Sequence, residues 1–228
     1  MIRLGVLISG GGSNLQAIID AIAAGTLEAK IVLVISSKPD VYGLVRAHEA
    51  GIPTMALSPE VYQNRVAADA LIAKELQAAD AEYVVMAGYM RMVNRPILEA
   101  YPNRVVNIHP ALLPSFKGAH GILDAYNSGV KVTGVTVHFA NEEYDKGPII
   151  AQRAVAIDED DSLESLEQKI HAVEHDLYPQ VLQLIATGRV SVDSSGKARI
   201  APEKAHVAYS EAHDVSGRAH ITCSEARI

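Results

Sequence analysis

Four short runs rich in valine and isoleucine, "RLGVLIS", "IVLVIS", "YVVMAG" and "RVVNIH", punctuate the first 110 residues. Each is apolar at successive rather than alternate positions, so both faces of the strand have to be covered. Between them stand longer segments with helical spacing: "NLQAIIDAIAAG", "GLVRAHEAG" and "YQNRVAADALIAKELQAAD". Two of these end in glycine, which takes the left-handed conformation of a helix C-terminus without a Cβ clash. Strand and helix alternating in this way require right-handed crossovers. The predicted fold class is α/β: a single doubly wound, mostly parallel sheet of the Rossmann-like kind.

After residue 110 the pattern changes. "VTGVTVHFA" alternates as a strand, the polar "NEEYDKG" makes a loop, and "PIIAQRAVAI" resumes as a strand, giving an antiparallel extension. An acidic, capped start then opens a long helix with Leu163, Leu166, Ile170, Val173 and Leu177 on one stripe. Pro179 is expected to kink or interrupt it. "RVSVDSSGKARI" reads as a small hairpin around Ser-Ser-Gly-Lys. Repeats and linkers are absent, so the expectation is one catalytic domain over residues 1–200 and an irregular tail over 201–228.

Composition narrows the function classes. A net charge of −7 argues against a protein whose partner is a nucleic-acid backbone. The single cysteine, Cys223, excludes intrachain disulfides and thiolate zinc clusters. The apolar run in "MIRLGVLISGGG" is too short for a secretory signal or a membrane span. A cytoplasmic protein is expected, without a nucleic-acid or membrane partner, and a homodimer is compatible with all of this.

"SGGGSN", Ser9 to Asn14, follows the first strand and opens the first helix. Glycines there let backbone amides approach an anion, and the helix N-terminus favours negative charge. A dinucleotide fingerprint would need glycine where Leu15 stands, and "ISSK" closes the second strand without an acidic residue. A nucleotide-hydrolase loop would need Gly-Lys-Ser/Thr, and Ser13 is in no nucleophile elbow. What remains is a nest sized for one phosphate group, or a tight strand–helix turn that binds nothing.

In "VVNIHPALLPSFKG", Asn107 and His109 are two apart on a strand and so share a side, at the carboxyl edge where open α/β sheets bind ligands. Pro110 stops regular pairing there. Asp145, in the loop "EEYDKG", is a third polar candidate. Asn, His and Asp together suit acyl transfer to an amine. Asn and a protonated His can hold the tetrahedral oxyanion, while a nearby carboxylate raises the basicity of the imidazole. A histidine that merely ties a strand end to its loop is the plain alternative.

"SGGGSNLQAI", "AGYMRM", "NIHPALLPSFKG", "TVHFANEEYDKGPII" and "HAVEHDLYP", in that order, resemble the folate-dependent formyltransferases over about residues 1–190. "GGGSN" and "HAVEHDLYP" are similar to the glycinamide ribonucleotide branch of that family. The resemblance implies formyl transfer from 10-formyltetrahydrofolate to the amine of glycinamide ribonucleotide in purine biosynthesis, with no metal. It implies that Gly12, Ser13 and Asn14 hold the substrate phosphate. Glu174, expected to be exposed beside the apolar stripe, would bind the ribose hydroxyls, with His171 one turn earlier. Asn107 and His109 would be catalytic, with Asp145 tuning the histidine. Met90, Arg91, Met92, Val93 and Asn107 would line the folate site. The backbone of Asn141, Glu142, Glu143, Tyr144 and Asp145 would receive the pterin edge, and Arg65 with Arg91 would meet the glutamate tail of the folate.

Three rival readings remain. "HAVEH", His171 to His175, matches the H-x-x-E-H zinc pattern of one metalloprotease group. A non-catalytic binder of a phosphate ligand would keep the glycine loop without needing Asn107, His109 and Asp145. Another folate-dependent formyltransferase or a formyl-folate hydrolase would share the middle motifs.

Overall fold

In the computed structural model, every one of the four apolar runs is a strand. The chain order is β1 (Ile2–Ile8), α1 (Ser13–Ala23), β2 (Ala29–Ser36), α2 (Tyr42–Glu49), β3 (Thr54–Ala56), α3 (Pro59–Gln63), α4 (Arg65–Ala78) and β4 (Tyr83–Met86). It continues with α5 (Arg95–Ala100), β5 (Val105–His109), α6 (Gly121–Ser128), β6 (Val132–Phe139), β7 (Ile149–Ala156) and α7 (Leu163–Ala186). A hairpin of β8 (Val190–Val192) and β9 (Ala198–Ile200) follows. The structure describes residues 1–202, and beyond them only the backbone of Ala212–His213 and Ala219–His220. The irregular tail expected over 201–228 lies outside the described residues apart from those.

Seven strands form one sheet in the order β3-β2-β1-β4-β5-β6-β7. The pairs from β3 to β5 are parallel, whereas β5–β6 and β6–β7 are antiparallel. The fold is therefore the expected α/β sheet with an antiparallel extension. From β1 the chain moves to β2 on one side and returns to β4 on the other. That reversal opens a crevice at the carboxyl ends of β1 and β4.

Burial explains why the strands read as continuous apolar runs. Leu4, Val6 and Ile8 of β1 join Leu15, Ile18, Ile170, Tyr178 and Leu182 in one core. Leu7 joins Ile35, Ile72, Leu76 and Ile97 in a second core on the other face. Alternate side chains of one strand thus serve two separate layers.

Three local expectations change. "YQNRVAADALIAKELQAAD" is two helices, because Asn64 leaves the helical region (φ −98°, ψ 96°) and its Oδ1 accepts the Ala67 N–H at 3.1 Å as a cap. Pro179 does not interrupt α7, which continues for another turn and more. Its ring is buried, and tertiary packing holds the turn that lacks one backbone hydrogen bond. Finally, β3, α5 and α6 have no counterpart in the sequence reading. Each spans eight residues or fewer, too short for a periodic pattern to stand out.

Candidate active site

A cavity of about 390 Å³ opens at the carboxyl ends of β1, β4 and β5. The glycine loop, the segment Met90–Val93, and Asn107, His109, His138 and Asp145 all line it. Ser9, next to the glycine loop, ties the loop to Met90. Its Oγ accepts the Met90 N–H at 3.0 Å and shares a hydrogen bond with Ser37 Oγ at 2.7 Å.

Gly12 is the N-cap of α1 with φ +72°, and a Cβ there would stand 2.7 Å from the Cα of Gly43. Only glycine fits that close approach of two backbones. The first turn of α2 consequently abuts the loop, with the Gly43 N–H donating to the Gly10 carbonyl at 3.1 Å. Gly10 and Gly11 have open space on the Cβ side. Among the described residues, the buried Asn14 Oδ1 has no hydrogen-bond donor.

Glu174, expected to be exposed, is 4% exposed. Packing of α7 on α1 turns it inward, where Oε2 accepts from Asn14 Nδ2 at 3.3 Å and pairs with His171 Nδ1 at 2.8 Å. That hydrogen bond raises the pKa of His171, whose side chain is about half exposed at the cavity. His175 stacks on His171 with ring centroids 6.3 Å apart. Burial lowers its pKa, so at neutral pH it favours the uncharged form. Among the described residues, no group of three or more His, Cys, Asp or Glu side chains is placed to hold a metal ion.

In the middle of the cavity His109 is 4% exposed. Its Nε2–H donates to the Phe116 carbonyl at 2.8 Å, and Nδ1 faces Asp145 Oδ2 at 3.6 Å. Asp145 Oδ2 also accepts the Gly118 N–H at 2.9 Å, so one loop clamps both residues. Gly121 lets that loop close, since a Cβ there would meet Phe116 O at 3.0 Å and His109 Nε2 at 3.2 Å.

Sequence reasoning missed His138. It pairs directly with Asn107 across the antiparallel β5–β6 ladder. Burial lowers its pKa, so it is neutral at pH 7. Its Nδ1–H donates to the Phe139 carbonyl at 2.9 Å, which leaves Nε2 to accept from Asn107 Nδ2 at 3.1 Å. One Asn107 N–H is fixed in this way, and the second is available to a ligand oxygen. The alternation in "VTVHF" sets His138 on a defined face, but only the β5–β6 register brings it opposite Asn107. A His138→Ala variant is expected to lower kcat about 10–100-fold, with KM changing less, because it frees the Asn107 amide. Steady-state kinetics check this, and unchanged kcat would remove His138 from the site.

Of the remaining expected residues, Gly12, Ser13, Met90, Arg91, Met92, Val93, Asn141, Glu143 and Tyr144 line the cavity. Arg91 lies over the Tyr62 ring at 4.5 Å, and its two terminal nitrogens are buried without a partner among the described residues. They remain as donors for an anionic group. Asp69 anchors the segment behind Arg91 by accepting the Asn94 N–H at 2.7 Å. Arg65 and Glu142 do not line the cavity. Arg65 is exposed at the start of α4, and Glu142 pairs outward with Arg95 at 3.1 Å.

Comparison with known proteins places this geometry. The profile of the Formyl transferase family matches residues 2–182. The "Phosphoribosylglycinamide formyltransferase" of Bacillus subtilis is 41% identical over 183 residues, 80% of this chain and 94% of the relative. The "Trifunctional purine biosynthetic protein adenosine-3" of Bos taurus is 43% identical over 195 residues, 86% of this chain; the chain spans only 19% of that relative's length. The crystal structure of glycinamide ribonucleotide transformylase 1 from Symbiobacterium toebii superposes with a TM-score of 0.85 at 46% identity, covering 89% of this chain and 95% of that one. Match, identity and fold agree: the chain belongs to the Formyl transferase family.

Proposed function

We propose that the chain transfers the formyl group of 10-formyltetrahydrofolate to the amine of glycinamide ribonucleotide, a step of purine synthesis. The observation that carries this reading is one cavity lined by three chemically different groups of residues. The glycine loop and the start of α1 suit a phosphate, with Glu174 beside them for ribose hydroxyls. The strip Met90–Val93 suits a flat heterocycle, with the unpartnered Arg91 donors suited to its acidic tail. Asn107, His109 and Asp145 line the same cavity, and the two reactants would meet at them. Two bacterial relatives carry the name phosphoribosylglycinamide formyltransferase, which supports the choice of acceptor.

In this reading the substrate amine attacks the formyl carbon directly. The new C–N bond forms as the carbonyl becomes an oxyanion, which the free Asn107 N–H and His109 stabilise. The proton leaves the amine by way of the imidazole and reaches the folate nitrogen as its C–N bond breaks. Asp145, 3.6 Å from His109 Nδ1, stabilises the imidazolium in between. Residues 1–200 act as the catalytic unit, and the reaction belongs in the cytoplasm. No helix among the described residues is long and apolar enough to cross a membrane.

A formyl-transfer assay with three acceptor conditions tests the proposal: glycinamide ribonucleotide, a sugar-nucleotide amine, and none. Deformylation of the folate only with glycinamide ribonucleotide is expected. Equal folate turnover without acceptor would identify a hydrolase instead, and preference for the sugar nucleotide would reassign the acceptor.

A further inference from the structure

The glycine loop that closes the cavity offers backbone amides but no charged side chain: Gly10, Gly11, Gly12, Ser13 and Asn14 are all neutral. Among the described residues that line the cavity, only Arg46 and Arg91 carry a permanent positive charge. Arg91 is stacked on Tyr62, and no hydrogen bond joins it to the glycine loop among the described residues. Arg46, from α2, lies at the loop itself.

Its guanidinium is held from three directions. Nε donates to the Gly11 carbonyl at 2.9 Å, and Nη1 donates to Gln16 Oε1 at 3.0 Å. The Tyr42 ring, one turn earlier on α2, lies 4.8 Å below the guanidinium carbon. Gln16 is itself oriented, since its Nε2–H donates to Asp20 Oδ1 at 2.8 Å and so turns Oε1 toward Arg46. The direct hydrogen-bond acceptors of Arg46 are both neutral, so neither cancels its charge. Close approach is assured as well: a Cβ on Gly12 would stand 3.6 Å from Arg46 Cδ. Such a preorganised fork suits a phosphate oxygen better than a mobile lysine would.

We infer that Arg46 is the counter-charge for the substrate's phosphate and sets the preference for phosphorylated over unphosphorylated ribosyl substrates. This inference rests on the phosphate reading of the glycine loop given above. A phosphate monoester near neutral pH carries close to two negative charges. Backbone amides and a helix N-terminus supply only partial positive charge, about half an elementary charge for the helix. Arg46 supplies a full one at the same end.

Titration calorimetry with ribose 5-phosphate as the probe tests this without any catalytic turnover. Arg46→Gln keeps an amide that can donate to the Gly11 carbonyl but loses the charge, while Arg46→Lys keeps the charge. The expected result is binding about 10–100-fold weaker in Arg46→Gln, a smaller loss in Arg46→Lys, and a shallower salt dependence in the glutamine variant. Unchanged affinity in Arg46→Gln, equal losses in both variants, or no binding of ribose 5-phosphate by the wild type would overturn the inference. Formyl transfer by the wild type to glycinamide ribonucleotide is measured alongside. Its absence would sink the proposed function, whereas the titration would still read Arg46 by itself.

Discussion

Replacing His109 with alanine is expected to lower the turnover of formyl transfer by about 10²–10⁴-fold. Among the described residues that line the cavity, no other imidazole is placed to take over. Burial holds His138 neutral and its Nε2 lone pair already accepts from Asn107, whereas His109 Nδ1 faces a carboxylate. His171 is committed to Glu174, which also meets Asn14 at the start of α1. The alanine variant also strands the Phe116 carbonyl, which normally accepts from His109 Nε2 at 2.8 Å. A cost of about 1–3 kcal/mol in stability accompanies that lost bond. His109→Gln separates the two effects, because its side-chain amide can donate to the same carbonyl but cannot carry a proton through the reaction. The glutamine variant is expected to melt closer to the wild type and yet to be as slow as the alanine variant. Thermal melts and single-turnover kinetics on both check this. Near-normal turnover in either folded variant would refute the catalytic role.

The largest expected effect on stability lies at Tyr178, which is fully buried in α7. Its hydroxyl donates toward the carbonyls of Val106, at 2.9 Å, and Met86, at 3.2 Å. One side chain thus clasps the long helix to the two strands that carry the site. Tyr178→Ala removes the ring as well as the hydroxyl, and about 3–5 kcal/mol of stability should go with it. Since whole domains are stable by only about 5–15 kcal/mol, that variant is expected to be largely unfolded at raised temperature. Tyr178→Phe keeps the packing and loses only the polar contacts, for about 1–2 kcal/mol. Urea unfolding of the two variants separates packing from hydrogen bonding. A phenylalanine variant as destabilised as the alanine variant would contradict this division.

Much of the architecture was legible because local pattern carries it. Val, Ile and Leu at successive positions of β1 require cover on both faces, and the structure provides two cores. The glycines after α1 and α2 stop those helices as expected, with Gly25 at φ +73° and Gly51 at φ +69°. Asn107 and His109, two apart on β5, do share the cavity. Where the reading failed, tertiary contacts outweighed local preference. Pro179 is tolerated because its turn is buried in packed surroundings. Glu174 is inward because Asn14 and His171 satisfy its carboxylate. A charged residue beside an apolar stripe ordinarily reads as solvated, and its partner at position 14 stands 160 residues away. Arg65, assigned through resemblance alone, is exposed at the start of α4 and is not among the residues that line the cavity, which leaves its contact with an acidic tail a proposal.

The sequence by itself determined the sheet class, the glycine loop that opens α1 and the strand end that presents Asn107 and His109. Periodicity and glycine placement fix which face a residue occupies within its own element. Tertiary structure alone decided which residues meet across elements: His138 opposite Asn107, Asp145 beside His109, and Arg46 against the Gly11 carbonyl. Those meetings depend on strand register and on the approach of α2 to the glycine loop. Register and helix docking minimise the energy of the whole core, and no short stretch of residues specifies them.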